Sequence, residues 1–188
     1  MTPFQFRFRK PILDVRCWVD DIPQGWMAHA KEDYVEFNST NNFSVPERKI
    51  TVELNFIAGM PRFALIGGYF TPDTTQSFKL YLPEISALDS IDYGEGPDQR
   101  PGLPEEYRDA VINGLTGRKK DSEFLSLPFG RFYIKAAGHH VAHSAQVIFL
   151  RAARSLYRCL MLDTLDSENL NDFRLYDWPD HMFTETVE

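Results

Sequence analysis

The first sixty positions read as β structure with loops, in segments where apolar and polar residues alternate. In "FQFRFR", residues 4–9, every second side chain is apolar with glutamine or arginine between, the period of a strand with one buried and one wet face. "ILDVRCWV" carries the alternation on past Pro11. "KEDYVEFN" and "RKITVELNFI" predict two more strands, separated by the turn-forming run "STNNFSVPE". "RFALIGGYF", the loop "TPDTTQ" and "SFKLYLPEI" read as a hairpin-like pair, in which Gly67 and Gly68 predict a bulge or a close backbone approach. "ALDSIDYGEGPDQRPG" is loop by composition.

The period changes at Pro104. "LPEEYRDAVINGL" places proline at a first helical position, Glu105 and Glu106 in the first turn where the helix dipole favours them, and Tyr107, Val111 and Leu115 on one face. This short amphipathic helix should end near Gly117. "SLPFGRFYIKAA" reverts to a strand, with Phe132 and Ile134 on one face and Tyr133 and Lys135 on the other. Ser144 then reads as the N-cap of a second helix, "AQVIFLRAARSLYRCLML". That helix is apolar nearly all round, so it belongs against the sheet, with the stripe Arg151, Arg154, Ser155 and Arg158 as its solvated side or, as the lesser reading, a binding face. Beyond Leu162 an acidic loop, an edge strand at "FRLYDW" and a frayed tail are expected.

Strands, a helix, a strand and a helix make an α+β fold: a mostly antiparallel sheet with two helices packed on one face. Residues 1–60 read as a β-rich extension packed on the same domain, 61–162 as the core, and 163–188 as acidic loop, edge strand and tail. A chain of 188 residues, 14% aromatic with fifteen Phe, can bury a core of its own. Its formal charge of −7 argues against a sequence-independent grip on nucleic acid, which needs clustered cations. Cys17 and Cys159 form no metal-type spacing and read as buried thiols of a reducing compartment, with a single disulfide as the alternative. Charges interrupt the N-terminal stretch, and no run approaches a membrane span of about twenty apolar residues, so a cytoplasmic location without membrane contact is the expectation.

Candidate chemistry gathers in "AGHHVAHSAQ". His139, His140 and His143 crowd a strand-to-helix junction, where a metal site would need them aimed at one point with a further ligand. Because they precede the helix cap, helical spacing does not apply, and loop histidines are the plainer reading. Ser144 beside His143 lacks the sharp turn of a nucleophile and is better explained as a cap. Glu105 and Glu106, adjacent on a helix, point apart and make a poor acid–base pair. The dense basic cluster Arg118, Lys119 and Lys120 is a candidate phosphate contact and, more simply, a solvated loop. Glycines in "DYGEGPDQRPG" do not form a nucleotide cradle. No catalytic residue, metal or cofactor is expected.

Two segments together resemble domain IV of translation elongation factor G. That family opens a helix with G-x-I-P-x-E-Y-x-x-A-V-x-x-G-I, and "GLPEEYRDAVINGL" supplies Gly102, Pro104, Glu106, Tyr107, Ala110, Val111, Gly114 and Leu115, with Gly102 one place nearer the proline. Its later H-x-V-D-S-S-E-x-A-F-x-x-A-A is similar to "HVAHSAQVIFLRAA": His140 matches the tip histidine, Ser144 the capping serine, and Phe149, Ala152 and Ala153 the helix core. His143 and Gln146 stand where the family carries acids. The resemblance covers about residues 62–160 and implies the ribosomal protein S5 domain 2-like fold. It also implies a tip loop, Gly138 to His143, used as a contact surface. No P-loop accompanies it, so translocation is not implied. The resulting expectation is a non-enzymatic binding module whose partner is ribosomal RNA, a translation component or another protein. Its alternatives are an acidic immunity-type inhibitor and an enzyme built on the histidines.

Overall fold

A computed structural model describes residues 4–10, 13–28, 30–39, 45–56, 62–83, 98–117 and 126–162. The strands are β1 (Phe4–Lys10), β2 (Leu13–Val19), β3 (Ala30–Asn38), β4 (Arg48–Phe56), β5 (Arg62–Pro72), β6 (Ser77–Pro83), β7 (Gln99–Pro101) and β8 (Gly130–His140); the helices are α1 (Glu105–Thr116) and α2 (Gln146–Met161). One eight-stranded sheet runs β1-β2-β4-β5-β8-β6-β3, and β7 pairs with β8 off this path. β6 and β8 are parallel, and the remaining described pairs are antiparallel. The fold is α+β, as the periods predicted.

Two expectations about strands need correction. β5 and β6 do not form a hairpin: β8 lies between them, antiparallel to β5 and parallel to β6. The reason is burial, for Phe132, Ile134, Ala136 and Ala137 of β8 are all fully buried, and a strand covered on both faces belongs at the centre of a sheet. A parallel neighbour needs a crossover, and α1 lies in the chain between β6 and β8. Part of the expected loop before α1 is also a strand, since Gln99, Arg100 and Pro101 pair with His140, His139 and Gly138.

Both readings of Gly67 and Gly68 hold. Pairing steps from Gly67–Ala136 to Gly68–Ile134, leaving Lys135 as the extra residue of a bulge. A Cβ on Gly68 would fall on the carbonyl of Tyr133, and one on Gly67 on the side chain of Thr51. Past the bulge the faces exchange: Phe132, Ile134 and Ala137 join the core beneath the helices, whereas Ala136 packs on the opposite face with Trp26, Phe63 and Leu65. Trp26 belongs to a 3-10 turn, Gln24–Trp26, laid over that end of the open face.

Both helices pack on one face of the sheet. Tyr107, Val111 and Leu115 of α1 are buried, as their spacing predicted, and Gly117 closes the helix in the left-handed region at φ 75°, its N–H donating to the Asn113 carbonyl at 2.9 Å. The arginine stripe of α2 is not a fully solvated side: Arg151, Arg154 and Arg158 are half-buried and Ser155 is buried. Arg48 of β4 is buried at the end of α2, where its Nη1 donates to the carbonyls of Leu162 at 2.6 Å and of Cys159 and Leu160 at 3.3 Å. Cys17 and Cys159 are buried free thiols with their sulfurs 3.9 Å apart, one on β2 and one on α2. Their hydrogen bond, together with burial, pushes the Cys159 thiol well up. No described helix is long and apolar enough to cross a membrane. The expected edge strand "FRLYDW" lies outside the described residues.

Candidate functional site

His139 and His140 are the last residues of β8, not loop residues. Adjacent strand residues point to opposite faces, and this separates them. The His139 ring is half-buried on the helix side, with Nδ1 3.2 Å from the carbonyl of Gly102 just ahead of α1. Burial lowers its pKa, and the Gly102 bond opposes that shift without cancelling it. His140 instead meets His143, their ring centroids 4.4 Å apart and His140 Nε2 3.4 Å from His143 Nδ1.

The Ala142 N–H donates to His140 Nδ1 at 3.2 Å. That nitrogen therefore carries a lone pair, and the neutral ring holds its proton on Nε2, facing His143, with the Asp98 carboxylate 4.0 Å away. Burial and the neighbouring His143 both lower the His140 pKa, while Asp98 opposes them. Two histidines thus come together and the third turns away. Among the described residues, no group of three or more His, Cys, Asp or Glu gathers to hold a metal ion.

Ser144 does not cap α2. The helix begins at Gln146 with Ala145 as its N-cap, and no side chain bonds the first turn. The Ser144 hydroxyl accepts the N–H of His140 at 2.8 Å and donates to the carbonyl of Phe63 on β5. Its own N–H returns to the His140 carbonyl at 3.2 Å, closing the turn, and the Tyr107 hydroxyl donates to its carbonyl at 3.1 Å. The serine is therefore a pin that ties the tip to β5 and α1, with its proton committed to a backbone oxygen. At the crest Val141 is 64% exposed, on a base braced by the bond from its own N–H to the Asp98 carbonyl at 3.0 Å. Arg118, Lys119 and Lys120 lie outside the described residues.

A second feature, on the open face of the sheet, has no contiguous motif in the sequence. On the face away from the helices, Lys49 pairs with Tyr69, Tyr69 with Tyr133, Tyr133 with Tyr81, and Tyr81 with Tyr34. The rings form a row, with centroids 4.7 Å apart for Tyr69–Tyr133, 4.3 Å for Tyr81–Tyr133 and 5.1 Å for Tyr34–Tyr81. The Lys79 ammonium sits 5.0 Å from the centre of the Tyr34 ring. Tyr34, Tyr81 and Tyr133 alternate onto the polar side of their strands, whereas Tyr69 shares its face of β5 with Phe63 and Leu65. The chain matches no protein-family model, no curated protein and no solved structure.

Proposed function

We propose that this chain is a non-enzymatic binding module, similar to domain IV of elongation factor G, that meets its partner through the tip between β8 and α2. The observation that carries the reading is the tip itself: an exposed Val141 raised on a turn fixed by Ser144, His140 and Asp98. A surface held in place before binding loses less entropy when a partner covers it.

The residues behind the family resemblance support it by meeting one another. Tyr107 of α1 stacks on Phe149 of α2 at 4.6 Å, and a Cβ on Gly114 would strike Ala153 and the Leu150 carbonyl. The succession of α1, β8, tip and α2, with both helices on one face, is the arrangement the S5 domain 2-like reading calls for.

The tip chemistry favours a protein surface over bare RNA. His139 and His140 are both held toward the neutral form, Asp98 stands beside His140, and the crest is apolar, whereas a phosphate backbone is gripped by fixed cations. Capture from lysate by immobilised wild-type chain, by His140→Ala/His143→Ala and by Val141→Asp tests this, with circular dichroism as the folding control. Loss of one stoichiometric protein with either folded variant is expected. Unchanged capture overturns the tip as the contact surface, and nuclease-sensitive capture reassigns the partner to ribosomal RNA.

A further inference from the structure

At the far end of β8 from the tip, an open cleft of about 640 Å3 lies beside the tyrosine row, lined by Tyr69, Tyr133, Thr71, Arg131, Asp73 and Thr74. Its volume falls in the range of small-ligand sites, and its walls stand on β5 and β8, paired along their length. The polar groups are fixed before any ligand arrives. Arg131 donates from Nε at 2.9 Å and from Nη2 at 2.8 Å to the same Asp73 oxygen, Oδ2. The other oxygen, Oδ1, accepts the Thr75 N–H at 3.0 Å, which holds the carboxylate against the turn.

This pairing decides which ligand fits. A guanidinium has more N–H donors than Asp73 and the Tyr133 hydroxyl use, so donors remain, and Asp73 supplies an acceptor beside them. The two formal charges cancel. In the same register row Lys79, next to Arg131, faces Glu36 at 3.7 Å and cancels likewise. An anion entering the cleft would meet Asp73, and a cation would meet Arg131. A neutral group that both donates and accepts meets neither repulsion, and a hydroxyl is such a group. Threonine and tyrosine hydroxyls add further partners.

The stacking argues against nucleic-acid bases. Tyr133 lies between Tyr69 and Tyr81, tilted by only 19° and 16° from them, so both of its faces are covered by neighbouring rings. Single-stranded nucleic acid is gripped through free ring faces, which this row lacks at its centre. We propose that the cleft binds a neutral polyhydroxylated ligand, a sugar chain hydrogen-bonded by the Arg131–Asp73 pair and the hydroxyls beside it.

Isothermal titration of the full chain with cellotetraose, xylotetraose, maltotetraose and chitotriose tests this, beside inorganic phosphate and an oligothymidylate. One or more of the neutral sugars should bind. Arg131→Gln should weaken that binding about tenfold, the effect of losing a hydrogen bond to a charged group. Thr71→Val removes a lining hydroxyl without touching the ion pair and should weaken it too. His140→Ala/His143→Ala should leave it unchanged, because His140 lies seven positions along β8 from Tyr133, about 23 Å away. Silence from all four sugars overturns the proposal, as does sugar binding indifferent to both cleft variants in folded protein. Binding of phosphate or oligothymidylate in place of sugar overturns it as well.

Discussion

Replacing Ser144 with alanine separates two accounts of the tip. As a helix cap the serine would serve the first turn of α2, and its loss would cost about 1 kcal/mol. As the pin observed, it accepts the His140 N–H and donates to the Phe63 carbonyl, so both partners lose their bond at a half-buried position. At about 1 kcal/mol net for each bond, the cost is about 2 kcal/mol. For a chain of this size that lowers Tm by about 4–8 °C. Ser144→Thr keeps the hydroxyl and should recover much of the loss. The location of the damage is more telling than its size. Hydrogen exchange followed by NMR should show the His140 amide opening about thirtyfold more often, the equivalent of about 2 kcal/mol. The amides of Ile148 and Phe149, which bond the Ala145 carbonyl, should change little. Faster exchange at Ile148 and Phe149 with an unchanged His140 amide would refute the pin and restore the cap.

Three other outcomes follow from the geometry. Gly68→Ala drives a Cβ into the Tyr133 carbonyl, where no side chain can swing away, and should destabilise the chain by about 1–3 kcal/mol in urea titration. Arg48→Met leaves the carbonyls at the end of α2 without their donor and should cost about 2 kcal/mol, with exchange rising in the last turn of that helix. Stability should also depend on pH through the histidines. Burial holds His139 and His140 below the ordinary imidazole value, so as pH falls the unfolded chain takes up these protons before the folded one does. The unfolded state then binds more protons, and stability should be full above about pH 6.5 and decline below it. Urea midpoints across that window, compared with those of His139→Gln, check this; a midpoint that rises on acidification contradicts it.

Most of the secondary structure was legible because it is written in local periods. Alternation marked strands at "FQFRFR" and "RKITVELNF", and the spacing of Tyr107, Val111 and Leu115 marked α1 and its buried face. Gly67-Gly68 announced the close approach that the bulge makes. Ser144 was misread because serine ahead of an apolar helix is the signature of a cap, while its actual acceptor, Phe63, lies on another strand. His139 and His140 looked like one cluster because strand alternation runs on through them to the end of β8, three residues beyond Ala137, where the apolar pattern stops.

The sequence by itself determined most of the described strands, both helices, the buried face of α1, and that the whole is α+β. Those properties depend on residues a few positions apart, whose geometry the backbone period sets. Only the tertiary structure decided that β8 enters between β5 and β6, that Cys17 meets Cys159, and that His140 keeps His143 while His139 turns to Gly102. Register likewise aligned Tyr34, Tyr69, Tyr81 and Tyr133 from four strands into one row. A strand's period says which way each side chain points; which strand lies beside it, and at what offset, is settled by burial across the whole sheet.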